Sequence, residues 1–256
     1  MLASRLRDVI KLMMRRNPGF FNPLWSLAYP YVIRRDEKYH GSEYGDRDSA
    51  FHTIFTENRW GSAETRSGGG STVAYTAPLR KSLAALLARL DIKVFLDAPC
   101  GDFHWMRHVE LPAGARYLGG DIVLPLVEQL QHKYGDERRS FENIDIVKGP
   151  LPRADLWLCR DVLFHLPNAD IGTVLENFAR SDIPLMLTTT YDFPKQNFDV
   201  RAGGFRFINL RRPPFTLTRP LTRIPDFVAP EPPRYLALWT REQVAEVLSR
   251  DLVSLP

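Results

Sequence analysis

Four aspartates define the chemistry open to this chain. Asp97 ends the apolar run Val94 to Leu96, and Asp121 ends Arg116 to Gly120. Asp145 ends the segment from Phe141, and Asp161 follows the run Ala154 to Cys159 through Arg160. A short apolar run bounded by turn residues predicts a buried strand of a parallel sheet. In such a sheet all strand ends open onto one crevice, where ligands bind. Between Asp97 and Phe103 lie Ala98, Pro99, Cys100, Gly101 and Asp102. Small residues let the backbone approach a ligand, and a following helix presents N–H groups to an anion. Asp121 lies 24 residues after Asp97. At that spacing an acid at the tip of the next strand accepts hydrogen bonds from ribose hydroxyls.

Other constellations fail. Gly101 is the only glycine of the loop, so the dinucleotide fingerprint Gly-x-Gly-x-x-Gly is missing, and no P-loop occurs anywhere. His104 and His108 stand four apart with Asp102 nearby, but the zinc-protease glutamate is absent and no metal is expected. Cys100 and Cys159 imply no disulfide framework; they read as small, fairly apolar residues in a reducing cytosol. A formal charge of +4 over 256 residues is too mild to argue for nucleic acid. With 44% hydrophobic and 25% charged residues, the chain can build one sizeable core plus extensions.

Elements that would position these acids follow in order. Helices are predicted over 77–90, with Pro78 in the first turn, and over 103–108, 123–134 and 168–180, the last starting at Asn168. A fifth strand over 184–190, a last strand over 235–239 and a helix over 241–248 complete a domain spanning 76–256. Residues 191–233 show no helix signal and many prolines. They hold Lys195, Arg201, Arg206, Arg211, Arg212, Arg219 and Arg223 among interleaved aromatics, which suits an acceptor-binding insertion for an anionic ligand or a solvated loop.

Residues 1–75 form an extension. Leu2, Leu6, Val9, Ile10 and Met13 recur at helical spacing between basic residues. This helix either packs on its own domain or docks, with the aromatic segment up to residue 33, on an anionic membrane surface. Residues 34–50 read as a linker or exposed turn region and Phe51 to Trp60 as a short helix. Gly61 to Thr72, with Trp60, Glu64 and Arg66, reads as a tether or as a lid. No run of 18 apolar residues and no secretion signal occur. The expected location is cytoplasmic, peripheral at the inner membrane face if the first helix docks.

Taken together, Asp97 to Phe103, Gly120-Asp121, Asp145-Ile146 and Arg160 to Leu166 resemble the successive motifs of class I S-adenosylmethionine-dependent methyltransferases over roughly residues 80 to 190. The wording Asp-Ala-Pro-Cys-Gly-Asp-Phe and Cys-Arg-Asp-Val-Leu-Phe-His-Leu is similar to a bacterial subgroup linked with polysaccharide or glycolipid modification. The resemblance implies a Rossmann-like α/β fold, a mostly parallel sheet with helices on both faces. It implies S-adenosyl-L-methionine as cofactor, with Asp97, Ala98, Pro99, Cys100 and Gly101 bordering its methionine portion. Asp121 and Ile122 would serve the ribose, Asp145 and Ile146 the adenine, and Arg160 the same cofactor side. Pro99 and Phe103 depart from the family's glycines, which leaves the path of the loop open.

Methyl transfer mainly requires positioning, and a sugar or alcohol hydroxyl also benefits from a general base. His165 is the first candidate because histidine titrates near neutrality, and Asp161 the second, as base or as binder of the acceptor hydroxyl. A similar histidine packs or caps in many members of the superfamily. Trp60, Arg66, Arg201 and Arg206 are the candidate acceptor contacts. Asn/Asp-Pro-Pro-Tyr is absent, which argues against a nucleic-acid base as acceptor. The expected activity is O-methylation of a sugar, glycan or other small hydroxylated acceptor. The competing readings are a non-catalytic membrane-associated scaffold with this fold and a nicotinamide-dependent oxidoreductase.

Overall fold

In the computed structural model, which describes residues 45–229 and 231–253, side chains alternate across a central sheet. On β1 (Val94–Asp97), Leu96 packs with Trp157, Met186 and Phe178 on one face, while Phe95 packs with Leu156, Leu83 and Leu87 on the other. The two-residue period of a strand dictates that division. β4 (Leu156–Cys159) is buried along its whole length, as a central strand covered on both faces must be.

The remaining strands are β2 (Arg116–Asp121), β3 (Arg139–Asn143), β5 (Leu185–Tyr191), β6 (Thr222–Pro225) and β7 (Arg234–Thr240). Their order is β3-β2-β1-β4-β5-β7-β6. The first five are parallel, and β7 runs antiparallel to both β5 and β6. This is the Rossmann-like α/β architecture expected.

Helices cover the sheet through apolar stripes. In α1 (Arg47–Thr56), Asp46 caps the first turn by accepting from Ser49 N–H at 2.7 Å. α2 (Val73–Arg89) buries Leu79, Leu83, Leu86 and Leu87, each worth roughly 1.5–3 kcal/mol. α3 (Leu124–Tyr134) follows β2. α4 (Asn168–Arg180) buries Ile171, Val174, Leu175 and Phe178, and α5 (Arg241–Val253) follows β7.

Several boundaries differ from expectation. α2 begins four residues before the predicted start because Thr72 caps it, its hydroxyl accepting from Tyr75 N–H; Pro78 then lies inside the helix. The predicted helix over 103–108 is a single tight turn, Met106–His108. β3 ends at Asn143, so Asp145 sits two residues past the strand. Residues 46–50 belong to α1 and its cap, not to a linker. The insertion at 191–233 carries the edge strand β6. The basic helix over 2–16, the aromatic segment to residue 33, their membrane contact and residues 34–44 lie outside the described residues. No helix among the described residues is long and apolar enough to cross a membrane.

Candidate functional site

The carboxyl ends of β1, β2 and β4 open onto a cleft of about 970 Å³, its mouth included. Asp97 closes its floor, 2% exposed, and accepts from the Tyr117 hydroxyl at 2.7 Å. Burial raises the Asp97 pKa to about 7, the Tyr117 hydrogen bond offsetting part of that rise. Asp121 accepts from Gly101 N–H at 3.1 Å and from Val123 N–H at 3.1 Å. Burial raises its pKa to about 6 against those N–H groups. Neither acid forms an ion pair among the described residues.

The loop between them runs through a cis Ala98–Pro99 peptide. Gly101 has φ +53°, and a Cβ there would stand 2.2 Å from Ser67 Oγ, so conformation and space both require glycine. Phe103 occupies a position where the resemblance leads one to expect another glycine, and it holds φ +58°. Such a conformation costs a bulky residue roughly 1–2 kcal/mol. Ring contacts at 4.8, 5.4 and 5.0 Å to Tyr117, Tyr134 and Phe141 offset that cost. Pro99, Cys100 and Ile122 line the cleft; Ala98 does not, its carbonyl accepting from the Trp157 indole at 2.8 Å behind the floor.

At the far end Asp145 and Ile146 line the cleft beside Arg47. Burial opposes ionisation of Asp145. The N–H groups of Lys148 and Val147 and the Arg47 guanidinium outweigh it and hold the carboxyl below its usual range.

Beyond β4, Arg160 and Asp161 join Asp226 and Arg234 in a buried cluster of alternating charge. Arg160 Nε donates to Asp226 Oδ2 at 2.9 Å, and Asp161 Oδ2 lies 3.3 Å from Arg160 Nη1 and 3.0 Å from Arg234 Nη2. Thr189 Oγ1 bonds to Asp161 Oδ1 at 3.0 Å. Burial disfavours the charged form of Asp161, but the two guanidiniums hold its carboxyl below the usual range. Asp161 is therefore a poor base and a permanent hydrogen-bond acceptor at the cleft wall.

A cover comes from α1 and the strap over 61–72. Arg47, Phe51, Ile54, Phe55, Trp60, Arg66, Ser67 and Ser71 all line the cleft. The strap is fastened at two places. Asp102 accepts from the hydroxyls of Thr65 and Ser67 and from Arg66 N–H, all within 3.0 Å. Arg160 Nη2 donates to the Gly70 carbonyl at 2.8 Å. Arg66 Nη1 donates to the carbonyls of Phe55 and Thr56, and no carboxylate among the described residues pairs with it.

Three expectations are corrected. Arg206 is fully buried and donates to the carbonyls of Phe164 and Leu166 and to Asn168 Oδ1, so it fastens backbone rather than facing an acceptor. Arg201 lies on the surface outside the cleft. His165 also stays outside the lining: the turn Leu163–His165 aims its ring at the insertion, where Nδ1 meets the Gly204 carbonyl at 2.5 Å. Trp60 stacks on that ring at 5.1 Å, and burial lowers the His165 pKa to about 4. Among the described residues no group of three or more His, Cys, Asp or Glu could hold a metal ion; His104 instead meets Glu64 at 2.7 Å.

Sequence reasoning missed Arg47, Asp102, Asp226 and Arg234. Asp102 alone carried a signal, as an acid beside the loop glycine. The others lie in stretches with no periodicity and acquire their roles only through distant partners.

No protein-family model matches the chain, and neither does any curated protein. Solved structures do resemble it. One is the 1,6-didemethyltoxoflavin-N1-methyltransferase of Burkholderia thailandensis with its namesake ligand and S-adenosylhomocysteine bound. It is 19% identical, with TM-score 0.53, over 75% of this chain and 86% of that one. PigF with SAH is 19% identical at TM-score 0.53, over 88% of this chain and 72% of that one. Human N-acetylserotonin methyltransferase in complex with SAM is 20% identical at TM-score 0.38 over 46% of this chain, which spans only 35% of that protein. The first two likenesses show the fold.

Proposed function

We propose that the cleft binds S-adenosyl-L-methionine and that the chain transfers its methyl group to a small hydroxylated acceptor. The carrying observation is the pair of buried acids, Asp97 and Asp121, which form no ion pair among the described residues and lie in a cleft at the strand ends. The cofactor supplies a sulfonium methyl for in-line displacement, and its ammonium group, sulfonium and ribose hydroxyls suit two such acids. Asp121 takes the ribose hydroxyls, and Asp97 with the Pro99–Gly101 loop takes the amino-acid end. The two solved relatives with S-adenosylhomocysteine or SAH bound support this reading through their shared fold.

The acceptor enters beside Asp161, Trp60 and Arg66. Asp161, held ionised, accepts a hydrogen bond from the hydroxyl and orients it, which is the larger part of the catalytic task; as the oxygen–methyl bond forms and the methyl–sulfur bond breaks, the now strongly acidic hydroxyl proton passes to Asp161 and on to water. Trp60 offers a ring to a flat face of the acceptor, and Arg66, with no acid partner among the described residues, offers a cation to an anionic group. A sugar or glycan unit bearing phosphate or carboxylate fits those three contacts and the subgroup wording of the sequence. His165 backs Trp60 instead of reaching the reacting atoms.

Calorimetric titration with S-adenosylhomocysteine tests the reading. Wild-type protein binds it; Asp121→Ala binds about 10- to 100-fold more weakly, the loss of a charged hydrogen-bond acceptor. Circular dichroism confirms that the variant is folded. Equal binding by the variant overturns the ribose assignment, and no binding by wild type overturns the cofactor.

A further inference from the structure

Asp145 is the acid expected at the adenine, yet its carboxylate is fully engaged by the protein. Oδ1 accepts from Val147 N–H at 2.9 Å and from Lys148 N–H at 3.2 Å. Oδ2 lies 2.6 Å from Arg47 Nη2 and 3.4 Å from Lys148 Nζ. A carboxylate offers about four lone-pair sites; three accept hydrogen bonds here and the Lys148 ammonium stands over the fourth. An amino group of a ligand would have to displace one of these partners.

Arg47 itself lines the cleft, at the end walled by Ile122, Ile144, Ile146, Val147 and Phe51. Two acids on different elements hold its guanidinium: Asp145 after β3 and Asp170 in the first turn of α4, whose Oδ2 stands 3.2 Å from Nη1. The plane is thereby fixed before any ligand arrives. A fixed planar guanidinium beside an apolar slot matches a flat heteroaromatic ring, on whose face arginine stacks.

We propose that Arg47, brought by α1 from outside the sheet, holds the adenine ring by stacking, and that Asp145 acts as a positioning residue through Arg47. The inference rests on reading the cleft as the S-adenosylmethionine site. It makes the adenine end depend on the extension rather than on the sheet alone.

The test measures dissociation constants for S-adenosylhomocysteine and for adenosine, with melting temperature, on the full chain. Arg47→Ala weakens both ligands about tenfold, since the base is common to them. Arg47→Lys keeps a charge for the two acids but not the plane; it recovers melting temperature and leaves affinity low. Asp170→Asn removes one of the two acids that hold the guanidinium plane and weakens both ligands only about threefold, the worth of one partly exposed charged contact. Arg47→Ala within twofold of wild type for both ligands overturns the proposal. So does Asp170→Asn losing as much affinity as Arg47→Ala, for then Arg47 only ties the helix down. A wild-type chain that binds neither ligand removes the cofactor reading itself, and the two failures are told apart by the wild-type titration.

Discussion

The cover over 45–72 and the insertion over 191–233 both stand outside the alternating strand-helix core, and they do opposite work. The insertion has the composition of a binding loop, rich in arginine and aromatics, yet none of its described residues lines the cleft. Its rings pack on one another, Tyr191 on Phe207 at 5.0 Å and Phe205 on Phe207 at 5.2 Å. Asn209 and Asn197 fasten its backbone. The cover, rich in glycine and serine over the strap, supplies one whole wall of the cleft. The difference lies in where polar groups are satisfied. Arg206 is consumed by carbonyls, and Asp226 by Arg160 and Arg234. The strap satisfies its groups on Asp102 and leaves the Trp60 and Arg66 side chains lining the cleft.

The largest effect expected from breaking this contrast is in the insertion. Asp226→Ala strips a 1%-exposed acid from two buried arginines, which costs about 3–5 kcal/mol. Urea denaturation reads that loss; a change below 1 kcal/mol would show the insertion to be dispensable to the fold.

Between the two regions stands the sheet, where Asp97 gives a pH signature. Its folded pKa of about 7 lies above the ordinary 3.8, so between those values the folded state holds more protons than the unfolded one. Stability therefore falls as pH rises through that window. Asp97→Asn melts higher than wild type at pH 8, and the gap closes toward pH 4. A gap that widens on acidification contradicts the burial assigned to Asp97.

The smallest stability effect belongs to the cover. Asp102→Ala releases Thr65, Arg66 and Ser67 at a cost of about 1 kcal/mol, because the site is half-exposed. Its signature is kinetic: S-adenosylhomocysteine dissociates faster in stopped-flow chase, while melting temperature barely moves. An unchanged dissociation rate would make the strap a passive wall.

Much of the frame was legible. Apolar runs ending in acids placed Asp97, Asp121 and Asp161 at strand ends because buried strands write their pattern locally. Asp145 was placed two residues too deep: Asn143, a turn former, ends the strand, but Ile144 after it reads as a further strand position. The Thr72 cap was missed because Pro78 offers the more conspicuous start. The cover was illegible for a different reason. Arg66 bonds to a residue 36 positions away and Arg47 to one 123 away, and no periodicity encodes a partner at such distance. The reverse error came from Arg206 and Arg201, whose charge suggested a ligand although side-chain direction decides what a charge meets.

The fastening of Arg47 to Asp170 also sets an order of assembly on the ribosome. The arginine is synthesised 123 residues before the acid that completes its grip. At about 5–20 residues per second, that interval is roughly 6–25 s. During it β1, β2 and β3 can pair, while α1 lacks its second anchor. The helix that walls this end of the cleft therefore gains its second anchor only after β4 has been made. A nascent chain halted before Asp170 holds Arg47 through Asp145 alone.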